Sequence, residues 1–372
     1  MTAPGAPQTY VERIAPSVVG VTYWFDPPRQ PPVQSVTVRL TGRRLDVPGN
    51  RGPRDCFLHD ETLAGIVGRS GPIAIAMKIR DLNPGSWTVS PRTLPNNDIE
   101  RRHTARIGRA KSPVVPVYRA EWSWRRWRVA AAPSMPVGTC LAPFVRQPAV
   151  IIGSWLAFVV VGIALALVTQ QVVIAVDGLR LSHVLTVSIL ALLSGVLGAK
   201  AWFMVIHREE QRREGWCIQG FVTAIAAVAP MLLAVLRVPI GAFLDATAPG
   251  LMIGLAVGRL GCFLTGCCAG RPTGRRWGVW SSNRTVGARR IPTQLMESLL
   301  ALGAGLTILV IVLTSGVHHG AWFIAAVAAY TLIRQAILRL REERRQSRLG
   351  SPLVALIATL VPGADLALLA TT

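Results

Sequence analysis

An all-α polytopic membrane bundle of six to seven transmembrane helices, preceded by a small all-β sandwich-like domain, is the fold class this sequence predicts. Three observations carry it. The 372-residue chain is 51% hydrophobic with a mean hydropathy of +0.41. Several of its apolar runs are long enough to cross a bilayer, which takes roughly 20 residues per helix. By contrast, the first 130 residues contain no such run and alternate apolar and polar positions between Pro and Gly turns. The organisation read from these patterns is a β-sandwich-like soluble domain over 1–130, a Pro-rich linker over 131–148 and a transmembrane domain over 149–372.

The chain opens on MTAPGAPQTYVERIAPS, which lacks the apolar segment of a signal peptide, so the run that begins near Pro148 is expected to serve as signal-anchor or first span. In SVTVRLTGRRL (35–45), Val36, Val38 and Leu40 share one face of a strand. GPIAIAMKIRDLNPGSWTV (71–89) repeats the alternation, with Asn83-Pro84-Gly85 supplying turn chemistry before a second strand. VTYWFDPP (21–28) and EWSWRRWRV (121–129) read as further strands, the last either half-buried in the sandwich or resting its tryptophans at a membrane interface. AAPSMPVGTCLAPFVRQP (131–148) carries no charge but Arg146 and reads as the linker. Spanning helices are expected near 149–174, 183–206, 217–236, 241–264, 294–314 and 320–338. A seventh, near 352–370, is interrupted by Pro362, Gly363 and Asp365.

The formal net charge is +21. On a soluble chain that would suggest nucleic acid, but the bases are scattered and no DNA or RNA module is readable. They are assigned instead to helix flanks facing anionic membrane lipid, with no nucleic-acid partner. Five ionisable residues fall within or at the ends of the apolar runs: Lys200, Asp245, Arg259, Glu297 and Arg334. Such residues are functional candidates by default, against the alternative that they only pair to hold the bundle. Arginine suits a phosphate, since its planar fork donates two hydrogen bonds and stays charged, so Arg259 and Arg334 suggest a lipid head-group site. The glycines around Arg259 (Gly258, Gly261, Gly266 and Gly270) allow close backbone approach. Six cysteines are too few and too dispersed for a disulfide framework, and Cys262-x4-Cys267-Cys268 is not a usual zinc spacing, so no metal or cofactor is expected. Those three are read either as small packing residues or as thiolates favoured by Arg259 and Arg271.

Over about residues 150–370 the sequence resembles the prolipoprotein diacylglyceryl transferase family, whose signature reads Gly-Arg-x-Gly-Asn-Phe-x-Asn-x-Glu-x-x-Gly. Here it stands as Gly258-Arg259-Leu260-Gly261-Cys262-Phe263-Leu264-Thr265-Gly266-Cys267-Cys268-Ala269-Gly270. Asp245, Ala248 and Pro249 resemble the family's preceding Asp-x-x-Ala-Pro segment. Arg290, Pro292, Gln294, Leu295 and Glu297 are similar to its Arg-x-Pro-Ser-Gln-Leu-Tyr-Glu segment. Tyr330 and Arg334 reproduce its Tyr-x-x-x-Arg helix, and LGAK (197–200) its Gly-Ala-Arg segment with Lys200 for arginine. The resemblance implies transfer of the diacylglyceryl group of phosphatidylglycerol to the lipobox cysteine thiol in the signal-peptide region of a prolipoprotein. It casts Arg259, Arg334, Tyr330 and Gln219 as catalytic positions. Gly258, Gly261, Gly270, Asp245, Arg290, Gln294, Glu297, Lys200, Cys262 and Cys267 become substrate-binding positions.

Three polar groups depart from the family pattern. CIQGFV (217–222) puts Gln219 where the family's His-Gly-Gly motif has a histidine, and Cys262 and Cys267 replace the signature asparagine and glutamate. Glutamine takes no proton at neutral pH. A diverged lipid transferase on another acceptor, or a non-enzymatic membrane anchor for the β domain, therefore stand as alternatives. The basic segments all fall on one side of the expected helices, which the positive-inside rule would assign to the cytoplasm. The resemblance implies the opposite and is followed here: a multi-pass plasma-membrane protein with an extracytoplasmic N-terminal domain.

Overall fold

The computed structural model describes residues 17–27, 34–49, 52–68, 70–94, 116–123, 126–131, 134–141, 145, 147–206, 215–315 and 319–342. Two compact units divide the chain. One gathers residues 1–152, 262–293 and 340–343; the other holds 153–261, 294–339 and 344–372. The helix expected near 352–370 lies outside the described residues.

The first unit is an antiparallel sheet. Its strands are β1 (Ser17–Phe25), β2 (Gln34–Arg44), β3 (Cys56–Ile66), β4 (Ile73–Ile79), β5 (Ser86–Leu94), β6 (Pro116–Ser123), β7 (Arg126–Ala131), β8 (Met135–Leu141), β9 (Val279–Ser282) and β10 (Val286–Arg290). The main order is β3-β2-β5-β8-β1-β4-β10-β9, with the β6–β7 hairpin attached to β1. Alternation builds its core: Val19, Val21, Tyr23 and Phe25 of β1, Val36, Val38 and Leu40 of β2, and Trp87 and Val89 of β5 are buried together. The segment expected as one strand over 121–129 is shared between two, paired through Ser123↔Arg126. Met135–Leu141, inside the stretch read as a linker, form β8, which pairs with both β5 and β1. Sequence reading misses β3 because polar cross-strand pairs hold it: Arg39 donates to both carboxylate oxygens of Asp60 at 2.7 and 2.8 Å, and Thr37 and Thr62 share a 3.0 Å hydroxyl hydrogen bond.

β9 and β10 come from the basic loop after the signature, some 200 positions along the chain from their partner. β10 pairs with β4 through Val286↔Ile75 and Gly287↔Ala74. Asn283 shapes the hairpin turn, its side-chain oxygen accepting from the Val286 amide at 2.7 Å. Trp280 stacks on Trp24 with ring centroids 5.1 Å apart and donates from Nε1 to the Pro72 carbonyl at 2.9 Å, while Ala288 joins the β core. The N-terminal domain and the hairpin are thus one sheet.

The second unit holds six helices long and apolar enough to cross a membrane, among the described residues: α1 (Ser154–Val176), α2 (Leu181–Ile206), α3 (Ile218–Val235), α4 (Ile240–Thr265), α5 (Thr293–Ser315) and α6 (Ala321–Leu338). Large apolar side chains stay exposed on α1, α2, α3 and α5, as lipid-facing surfaces require. α4 is the most enclosed of the six, with 44% of its most apolar stretch buried against 17–28% for the others. Small residues let helices approach closely. A Cβ on Gly162 of α1 would stand 2.7 Å from the Gly254 carbonyl of α4, and one on Gly198 of α2 would stand 2.5 Å from the Gly220 carbonyl of α3.

Candidate functional site

Three helices of the second unit bring their ionisable groups to one carboxylate. Glu297, in the first turns of α5, is fully buried. Its Oε1 is 2.7 Å from Nη2 of Arg259 on α4 and accepts a 2.9 Å hydrogen bond from the Tyr330 hydroxyl on α6. Arg259 Nη2 also donates to that hydroxyl at 2.9 Å, closing a triangle. Arg334, one turn after Tyr330 on α6, brings Nη1 to 3.9 Å of the same oxygen. The two arginines therefore turn towards a common point, but unequally. The Arg259 side chain is 11% exposed, whereas that of Arg334 is 44% exposed. Among the described residues two cations face this one anion, and Arg334 is the more accessible of the two. Beside Arg259, a Cβ on Gly258 would meet nothing within 4 Å, so packing does not require that glycine. Gly261 is different: its Cβ would stand 2.9 Å from Phe158 Cβ, and the glycine serves the contact of α4 with α1.

Other expected site residues do not join this cluster. Asp245 lies 14 residues before Arg259 on α4, about 21 Å along the axis. Fully buried, it accepts from the amides of Gly320 and Phe323, each at 3.1 Å, and so caps the start of α6. Lys200 on α2 rests its ammonium 5.5 Å from the Trp216 ring and 5.9 Å from that of Phe203. Gln219 accepts from the Cys217 thiol at 3.2 Å. Gln294 is buried in the first turn of α5.

The rest of the signature belongs to the first unit. Arg290, 1% exposed, donates to the carbonyls of Gly270 (3.1 Å) and Val286 (3.2 Å) and pairs with Glu342 at 2.8 Å. Burial draws this guanidinium below its usual range, and the Glu342 carboxylate opposes the shift. Arg290 is thus a clamp between the Gly270 loop, β10 and the segment after α6. Glu342 also accepts from Asn283 at 2.9 Å and was not singled out in the sequence, where it sits in a basic run. Gly270 is fixed by packing, since a Cβ there would strike the Ile291 carbonyl. A cavity of about 40 Å³ beside Arg290, lined also by Ser70, Ile73 and Ala288, has room for water.

At the end of α4 the Cys267 amide donates to the Cys262 carbonyl (3.1 Å) and the Gly266 amide to the Phe263 carbonyl (3.3 Å), with Gly266 left-handed at φ 71°. The neighbouring thiols of Cys262 and Cys268, together with burial, push the Cys267 thiol far above its ordinary range. This corrects the expectation of a thiolate favoured by nearby arginines: its strongest neighbours are thiols, which do not stabilise an anion as a guanidinium would.

Residues 147–365, more than half of the chain, match the family model of the prolipoprotein diacylglyceryl transferases. The chain belongs to that family. Among curated relatives, phosphatidylglycerol–prolipoprotein diacylglyceryl transferase 2 of Streptomyces coelicolor is 37% identical over 120 residues, covering 31% of this chain and 38% of the relative. The Clostridium tetani phosphatidylglycerol–prolipoprotein diacylglyceryl transferase is 24% identical over 155 residues, covering 38% of this chain and 62% of the relative. The chain thus spans from under two fifths to about three fifths of these relatives' length. Within the diacylglyceryl transferase match lie all four members of the Arg259–Glu297–Tyr330–Arg334 cluster, and the strands β1–β8 lie outside it. The match and the six apolar helices make this a multi-pass transmembrane protein.

Proposed function

We propose that this protein transfers the diacylglyceryl group of phosphatidylglycerol to the lipobox cysteine thiol of prolipoproteins. The observation that carries the reading is the convergence of Arg259 and Arg334 on one buried carboxylate with Arg334 left accessible. In this reaction the prolipoprotein sulfur attacks the glycerol carbon, a C–S bond forms, the C–O bond to phosphate breaks, and glycerol phosphate departs with the electron pair. Arg334 receives the lipid phosphate and stabilises the charge that grows on it. Arg259, held by Glu297 and Tyr330, sets the direction of that field and supplies a second cation. Holding both substrates at the membrane face makes the displacement effectively unimolecular. The thiol proton passes to solvent or substrate, because Gln219 cannot accept it. Gly258, whose missing side chain leaves open space beside Arg259, is the point of closest approach for the lipid glycerol. Lys200 and Gln294 are assigned to the walls of the substrate path.

Counting the spans supports a common face. β4 and β10 are hydrogen-bonded, and four candidate spans separate them in sequence, so an even number of crossings returns the chain to the face it left. Two more spans separate Arg290 from Glu342, which are ion-paired. This supports a common face for the β domain, the signature loop and the segment after α6. We assign that face to the extracytoplasmic side of the plasma membrane, where translocated prolipoproteins arrive. The β domain would then meet the substrate there.

The test is conversion of a lipobox peptide by purified protein in phosphatidylglycerol vesicles. Wild type is expected to form the thioether, and Arg334→Ala to lose activity by about 10²–10³-fold, the cost of removing one preorganised donor to developing charge. Folded wild-type protein that leaves the peptide unmodified removes the proposal. Modification of a different acceptor in the same vesicles would instead favour the diverged transferase suggested by Gln219, Cys262 and Cys267.

A further inference from the structure

The end of α4 is a Schellman motif built from cysteines. Its 6→1 hydrogen bond runs from the Cys267 amide to the Cys262 carbonyl at 3.1 Å, and its 5→2 hydrogen bond from Gly266 to Phe263 at 3.3 Å. In this motif the side chains that flank the longer hydrogen bond fold against each other. In most helices that contact is between two apolar residues; here both are thiols. The Cys267 sulfur lies 3.7 Å from the Cys262 carbonyl oxygen, inside the wrapped turn. Cys262 is buried, whereas Cys267 and Cys268 are partly accessible. Cys268 follows with a left-handed backbone, φ 58°, and its thiol also neighbours that of Cys267.

We infer that Cys262 and Cys267 form a redox-active pair that closes into a disulfide across the C-terminal turn of α4. The oxidant is a small disulfide or a protein disulfide of the extracytoplasmic space. Cys267, the accessible partner, loses its proton and attacks one sulfur of the oxidant, breaking the S–S bond and releasing one thiolate. Cys262 then loses its proton, attacks the Cys267 sulfur and releases the second thiolate. Both protons end on the two released thiols, and the two electrons lost by the cysteines reduce the oxidant. The closed bridge ties the residue three positions after Arg259 to the loop that follows, so the last turn of α4 can no longer unwind. The choice of an extracytoplasmic oxidant rests on the sidedness proposed above, whereas closure of the bridge itself rests on the helix end alone.

Because the Cys267 thiol is held protonated by its neighbours, closure is slow at pH 7 and speeds up as pH rises, by about tenfold per unit while thiolate remains the minor form. The full-length protein in detergent is treated with oxidised glutathione at pH 8, blocked with N-ethylmaleimide and digested with trypsin. Pro272 protects the bond after Arg271, so one peptide, Leu260–Arg275, holds all three cysteines. The expected product is this peptide with a single maleimide on Cys268 and fragment ions that place a bridge between Cys262 and Cys267. Cys268→Ser is expected to keep the bridge and Cys267→Ser to abolish it. Three maleimides after oxidation, or a bridge between Cys267 and Cys268, would overturn the inference.

Discussion

The unequal hold of Glu297 on its two arginines makes a quantitative prediction. Arg259 is 2.7 Å from the carboxylate and 11% exposed; Arg334 is 3.9 Å away and 44% exposed. Removing one member of a buried ion pair costs roughly 3–5 kcal/mol, because a desolvated charge is stranded. A long contact to a solvent-exposed arginine contributes about 0–1 kcal/mol after screening. Two double-mutant cycles separate these regimes: Arg259→Met with Glu297→Gln, and Arg334→Met with Glu297→Gln. Stability is read from denaturant unfolding in mixed micelles, so that each variant remains in an amphiphilic environment. The expected coupling is about 3 kcal/mol for the first cycle and below about 1 kcal/mol for the second. Methionine retains chain length, and glutamine retains the oxygen that accepts from Tyr330, so neither change opens a large void. Equal couplings, or a stronger one for Arg334, would refute the assignment of Arg259 as the anchored cation and Arg334 as the available one.

Three further outcomes follow from the geometry. Gly258→Ala should leave the melting temperature unchanged or slightly higher while lowering lipid transfer, whereas Gly261→Ala should destabilise by about 1–3 kcal/mol through its clash with Phe158 and Trp155; thermal scans and the peptide assay distinguish the two. Trp280→Ala, which removes the stack on Trp24 and the hydrogen bond to Pro72, should cost about 2–3 kcal/mol and speed hydrogen exchange at the Ala76 amide, which donates to Thr285 at 2.8 Å. Hydrogen bonds from Asn83 and then Arg44 hold the Asp55 carboxyl below its usual range, so its contribution to stability is present above the ordinary carboxylate pKa and is lost as pH falls through the depressed value. Exchange protection around the Arg44–Asp55 pairing, corrected for intrinsic rates, should therefore fall below about pH 4 in wild type and show no such step in Asp55→Asn.

The helices were legible because lipid imposes a strong, local signal. All six observed spans fall within a few residues of the apolar runs, since each must satisfy its backbone internally. The β domain was legible where one face is buried, as in Val36, Val38 and Leu40, and illegible where polar pairs stabilise an edge, as in the Arg39–Asp60 contact of β3. β9 and β10 were missed for another reason: a basic loop gives no hint that its pairing partner is β4, far away in sequence. The same distinction runs through the site. Arg259, Glu297, Tyr330 and Arg334 were singled out as costly or motif-matched polar groups and are found together. Asp245, an ionisable residue in an apolar run, and Arg290, a motif match, were also singled out, yet one caps α6 and the other clamps a loop to Glu342. A buried charge announces that it has a partner, but its identity depends on tertiary placement.

The insertion of β10 beside β4 also imposes an order on biogenesis. A ribosome delivers β1 to β8 long before residues 279–290 exist, and four hydrophobic segments must be synthesised in between. Until then the nascent domain lacks two strands, its β4 edge is open, and the place later filled by Ala288 is vacant. An unpaired edge of this kind invites pairing with other chains. Completion of the β domain therefore waits on the membrane insertion of α4, so a truncation that ends before the hairpin would be expected to misassemble even though every residue of β1–β8 is present.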